Sequence, residues 1–297
     1  MLFLFMLTIL AAYMLYSTFK KKEYFTQNKC AFCIPLHPKH FSYGYEIAED
    51  LSDTDADLYF IFTDKHEKDL FYKNLYAKCN YLILEDFVDI SRLDENRSWV
   101  SVKKLYALSK LHTKYEYISC IDSEVMFINK KFYKTMKRVA NTKIICGGDV
   151  SDSANKDYYK ILKESLTIMP QKDHAKLKQL SQNYKIYTWW SNLPVYDCSK
   201  AGEFLSWIQF NNKKFIDKIT WYVFDDIVYN YFVILKYNFK LYVVPNINTS
   251  LEYASNKVIQ KVDTDVCKLY WVNYSVYKKD ADYYKTNDFI LAYHLDR

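Results

Sequence analysis

Short apolar runs alternate with amphipathic stretches along most of the chain. Ala31–Leu36, Asp57–Thr63, Tyr81–Leu84 and Tyr115–Ile121 are rich in aromatic and branched residues and read as strands. Between them lie a loop from His37 to Gly44, an amphipathic helix to about Leu51 and a helix over Lys65–Lys78. A further helix spans Val100–Leu111, where Val102, Leu105, Tyr106, Leu108 and Leu111 share one face. The second half repeats the alternation less regularly. It offers strands at Lys143–Cys146, Leu193–Tyr196 and Leu241–Val244, with helices at Asp157–Leu166, Ala175–Gln182, Ala201–Phe210 and Phe224–Leu235. Gly147-Gly148-Asp149 reads as a close turn after the first of these strands. This pattern predicts an α/β fold with a mixed, mostly parallel sheet flanked by helices. In such sheets ligands bind beyond the carboxyl ends of the strands.

Met1–Phe19 breaks the alternation. It carries no charged side chain and is about as long as the roughly 20 residues a membrane-spanning helix needs. Lys20-Lys21-Lys22 closes it, and neither a basic start nor a small-residue cleavage site is evident, so a retained transmembrane anchor is expected. Residues 20–29 then form a basic flank and short stem, and 30–297 a single domain. Its nucleotide-binding half is expected at about 30–128 and its acceptor half at about 129–297.

Composition narrows the function. Half the residues are hydrophobic and only 4 are Gly, which excludes a disordered chain. The net charge of +6 suits an anionic ligand or a membrane surface, but no basic stripe interleaved with aromatics marks a nucleic-acid binder. Of the 7 Cys, Cys30 and Cys33 form an isolated C-x-x-C without a second pair at zinc spacing. Cys33, Cys120 and Cys146 sit in apolar runs and read as buried small hydrophobes.

The sharpest chemistry is in Asp122-Ser123-Glu124, directly after an apolar strand. Carboxylates two apart at a strand end can turn toward one point, and hard cations prefer such oxygen ligands. Residues 103–128, KKLYALSKLHTKYEYISCIDSEVMFI, resemble the helix, strand and Asp-x-Asp motif of nucleotide-sugar glycosyltransferases of the GT-A fold. That resemblance implies a sugar transferase taking a nucleotide-sugar donor, a glycan or glycoprotein acceptor and Mn²⁺ or Mg²⁺. It implies that Glu124 coordinates the metal, that Asp122 binds metal or donor ribose, and that His294 is a further ligand. Glu124 departs from the commoner Asp.

The other candidates follow from position. His37, Lys39 and Tyr43, in the loop after the first strand, are expected near the nucleotide base, together with Phe41. Asp64 is a candidate for base or ribose, Ser123 for the donor. One of Lys103 and Lys104 is expected to pair with phosphate and the other to be solvated. Asp225 and Asp226 open an apolar helix, where they either complement its dipole or, Asp226 favoured, supply the general base of an inverting transfer. Trp189, Trp190, Ser191 and Asn192 are candidates for the acceptor. The lysines after the anchor put the domain in the cytosol, whereas anchored sugar transferases often face the lumen. A non-catalytic carbohydrate-binding protein and a sugar nucleotidyltransferase remain as alternatives.

Overall fold

The computed structural model describes residues 29–74, 79–92, 99–125, 127, 130–149, 156–183, 186–187, 194–212, 215–244, 271–273 and 292–294. The expected anchor, Met1–Phe19, lies outside them. Among the described residues no helix is long and apolar enough to cross a membrane.

The chain opens with β1 (Cys30–Pro35), buried at every position. After a 3₁₀ turn at Pro38–His40 come α1 (Phe41–Asp50), β2 (Ala56–Phe62), α2 (Lys65–Tyr72) and β3 (Asn80–Ile83). α3 (Trp99–Leu111) leads into β4 (Tyr117–Cys120), then α4 (Phe132–Thr142) and β5 (Ile144–Asp149). The remainder comprises α5 (Lys156–Thr167), α6 (His174–Leu180), β6 (Ile186–Tyr187), β7 (Val195–Asp197), α7 (Cys198–Trp207), α8 (Asp225–Tyr237) and β8 (Lys240–Val244). Two short strands, β9 (Trp271–Asn273) and β10 (Ala292–His294), pair with each other.

The main sheet has five strands in the order β3-β2-β1-β4-β7. The first four are mutually parallel and β7 runs against β4. A second sheet, β6-β5-β8, pairs β5 parallel with β8. The mostly parallel sheet read from the sequence is therefore present.

Both faces of β1 are covered, as a parallel strand requires. Ala31 and Cys33 join one core with α3, α7 and α8. Cys30, Phe32 and Ile34 join the other, with α1, α4 and Phe71 of α2. Cys30 and Cys33 thus fall on opposite faces and stay free thiols. Cys33 and Cys120 are buried as expected, whereas the side chain of Cys146 lies outside the described residues.

Several boundaries move for local reasons. α1 begins within the expected loop, because the His37 ring accepts the Lys39 N–H and Pro38 opens a 3₁₀ turn that runs into the helix. Phe41 and Tyr43 are consequently helical. α7 starts three residues before Ala201, because Asp197 caps it by accepting the Ser199 N–H at 3.0 Å. Gly147-Gly148-Asp149 does not form the expected turn. These residues continue β5, where pairing of Gly147 and Gly148 with β8 and of Gly148 and Asp149 with β6 holds them extended.

Phe71 anchors the second core, with ring centroids 4.7 Å from Tyr45, 4.9 Å from Phe60 and 5.1 Å from Phe41. Gly44 lets α1 approach it. A Cβ there would lie 2.9 Å from Phe71 Cε2 and 3.0 Å from Leu36 Cδ2. Gly44→Ala should therefore lose about 1–3 kcal/mol to overpacking instead of gaining the roughly 0.5–1 kcal/mol that Ala brings to an open helix. The midpoint of urea unfolding reads the sign.

Candidate functional site

The carboxyl ends of β1 to β4 share one edge of the sheet, and the candidate residues gather there. β4 ends at Cys120, and Asp122, Ser123 and Glu124 follow directly. Lys104 of α3 comes up beneath them, its Nζ 2.8 Å from Asp122 Oδ1. Its side chain is 9% exposed and that of Asp122 33%, so the acid is the partner a ligand can reach.

His40, from the turn after β1, grips the rest of the motif. Its Nδ1 lies 2.8 Å from Glu124 Oε1 and 2.8 Å from Ser123 Oγ. Nothing local singles out His40, which lies 83 residues from Ser123. Only the parallel pairing of β1 and β4 joins them. His37, Lys39 and Tyr43 lie beside it, with Tyr43 5.7 Å from the His40 ring. The Lys39 side of this turn is exposed, and burial lowers the pKa of His37.

The first turn of α8 closes the cluster from the opposite core. Asp225 and Asp226 are both buried, Asp225 at 1% exposure. The Tyr196 hydroxyl donates to Asp225 Oδ2. Burial raises the pKa of Asp225, against the pull of Lys104 and the Tyr196 hydrogen bond. Burial, and then the charge of Asp225, pushes Asp226 up to about 7. Burial would lower Lys104, but the Asp122, Asp225 and Asp226 carboxylates outweigh it and its pKa is raised. One ammonium thus faces three acids. Full ionisation would leave uncompensated buried charge, and a proton retained on Asp226 relieves it.

Lys103 points elsewhere. Its Nζ donates to the Leu36 carbonyl at 2.8 Å and lies 3.7 Å from Glu67 Oε2. Neither lysine is solvated, contrary to expectation: α3 is buried nearly all round, so consecutive side chains face two different interior acids. Asp64 serves α2 as its cap, accepting the Glu67 N–H at 2.8 Å, while Glu67 Oε2 accepts the Thr63 N–H at 2.7 Å.

Trp189, Trp190, Ser191 and Asn192 lie outside the described residues, as does the side chain of His294. Among the described residues no three His, Cys, Asp or Glu side chains form a metal cluster. The donor set of Asp122 and Glu124 suits a small, hard cation that completes its shell on substrate phosphates and water.

No protein-family model matches the chain, and no curated protein does. Similar solved structures include core-mannan synthase A from Aspergillus fumigatus in its Mn/GDP form. It is 12% identical, with 69% of each chain covered and a TM-score of 0.35. Mouse xyloside xylosyltransferase 1 in its apo form is 8% identical, with 89% of this chain and 96% of that one covered and a TM-score of 0.37. What the site can do rests on the geometry above.

Asp226 gives the cluster a pH signature. Between pH 3.8 and about 7 the folded chain holds a proton that the unfolded chain has released. Its contribution to stability is therefore present below 3.8 and lost as pH rises to about 7. Asp226→Asn removes that dependence. Relative to wild type, the melting temperature of the variant should climb across this window, read by thermal unfolding in a buffer series.

Proposed function

We propose that the chain is a metal-dependent glycosyltransferase that moves a sugar from a nucleotide-sugar donor to a glycan or glycoprotein acceptor, with inversion. One observation carries the reading. The Asp122-Ser123-Glu124 motif stands at the carboxyl end of a central parallel strand, with the acid pair of α8 coupled to it through Lys104.

In this reading the exposed turn after β1 offers His37 and Lys39, and the first turn of α1 offers Tyr43, to the nucleoside. Asp122 and Glu124 would hold Mn²⁺ or Mg²⁺, which when bound would supply Lewis-acid stabilisation of the departing nucleoside diphosphate. His40 orients Glu124, and Lys104 orients Asp122. Asp226 takes the proton of the acceptor hydroxyl, since a carboxyl with a pKa of about 7 is a competent base near neutral pH. The acceptor oxygen forms its bond to the anomeric carbon as the carbon–phosphate-oxygen bond breaks. Met1–Phe19 tethers the domain to a membrane, and His294 is retained as a proposed further ligand.

Asp122→Ala and Glu124→Ala test the assignment. Each should lower Mn²⁺-supported donor hydrolysis or transfer by more than the about 10–100-fold that even outer partners of metal ligands are worth. Undiminished turnover in both would remove these residues from the site. Pyrophosphate release from a sugar phosphate and a nucleoside triphosphate would make the enzyme a nucleotidyltransferase.

A further inference from the structure

Lys103 is a buried charge, 4% exposed, that the mechanism above does not use. Burying an ammonium carries a desolvation cost, which an apolar side chain at the same helical position would avoid. What it does instead is join loops. Leu36, whose carbonyl it holds at 2.8 Å, is the last buried residue before the exposed turn that carries His37, Lys39 and His40. Glu67, 3.7 Å away, closes the turn between β2 and α2 through the Thr63 N–H. That turn is tied onward to the turn after β3, where Glu85 accepts the Lys65 N–H at 2.9 Å and donates its own N–H to the Thr63 carbonyl at 3.0 Å. One ammonium thus connects α3 to successive turns along the carboxyl edge of the sheet.

We propose that Lys103 is a positioning residue of the donor site: without touching the nucleotide, it fixes the turn after β1 where the nucleoside of the donor must bind. The inference rests on the transferase reading and adds a specific cause of donor affinity to it. The groups facing Lys103 are Glu67 on α2, Asp64 at its cap and His37 on the turn after β1. Burial brings the pKa of Lys103 down to about 8, opposed by Glu67 and Asp64. Burial also keeps the His37 pKa below 6.5, so that ring is neutral above pH 7. The attraction to Glu67 is therefore lost as pH rises through about 8, and donor affinity falls with it.

The test uses the full chain with saturating Mg²⁺ and with UDP and GDP as probes, by calorimetry at pH 7 and pH 9, and the respective nucleotide sugars in turnover. At pH 7, Lys103→Met should weaken nucleotide binding and raise donor KM about tenfold, the size of one charge-assisted hydrogen bond. The value of kcat should stay within about twofold, as for an interaction equal in ground and transition states. Wild type should lose affinity between pH 7 and pH 9. Lys103→Met and Glu67→Gln should lack that loss. Lys103→Arg, whose guanidinium stays charged, should keep near-wild-type affinity at both. Glu67→Gln preserves side-chain shape and supplies the answer should Lys103→Met fail to fold. If wild type binds a nucleotide and these variants match it in affinity and pH dependence, the inference falls alone. If wild type binds neither nucleotide, the transferase reading falls and takes the inference with it.

Discussion

The site depends on one buried ammonium set among three carboxyls. Lys104 meets Asp122 from the end of β4 and feels Asp225 and Asp226 from the first turn of α8. Without it, these acids would bring like charges into an interior that penalises each of them. With it, the loop after β4 and the start of α8 are drawn to a common point although Asp225 lies 103 positions beyond Asp122 in sequence. The helix N-terminus adds its own favourable field for the acid pair. The result is an arrangement in which charges are balanced only approximately, and Asp226 is left with a pKa of about 7, in the range useful to a base.

Helix α3 is the bearing of this edge. Successive residues on a helix point about 100° apart, so Lys103 and Lys104 serve different neighbours from adjacent positions. Lys104 sets the acids, while Lys103 sets the turns after β1 and β2. His40 then links those two regions directly, since it leaves the β1 turn and reaches Ser123 and Glu124. The turn after β1 and the acid cluster are therefore held by the same buried helix, which packs against β1, β2, β4 and α8. Lysine burial of this kind is costly to stability and makes sense as a means of holding geometry.

Much of the frame was legible in the residues. The apolar runs of β1 to β4 are short, aromatic-rich and separated by amphipathic helices, and that rhythm implies a parallel sheet. The Asp122–Glu124 motif was legible because it follows such a run immediately. What the sequence hid was long-range. His40 and Tyr196 look like ordinary members of a loop and a strand until the sheet order brings them to Glu124 and Asp225. One of Lys103 and Lys104 was expected on phosphate and the other in solvent, since local charge gives no sign that α3 is buried nearly all round. Gly147 and Gly148 suggested a turn by their local freedom, and pairing with β8 overrode it. Asp197 was overlooked because a cap is a property of the backbone it meets.

The proposed nucleotide-sugar site at this edge of the sheet is open to a simple measurement: melting temperature against a panel of nucleoside-diphosphate sugars, with and without Mn²⁺. A ligand that binds only the folded state at about 100 times its Kd adds roughly 2.7 kcal/mol. At least one donor should raise the melting temperature by several degrees, and more strongly with Mn²⁺. A panel in which no nucleotide sugar shifts it under either condition, while free glycans do, would overturn the transferase reading and leave a carbohydrate-binding protein in its place.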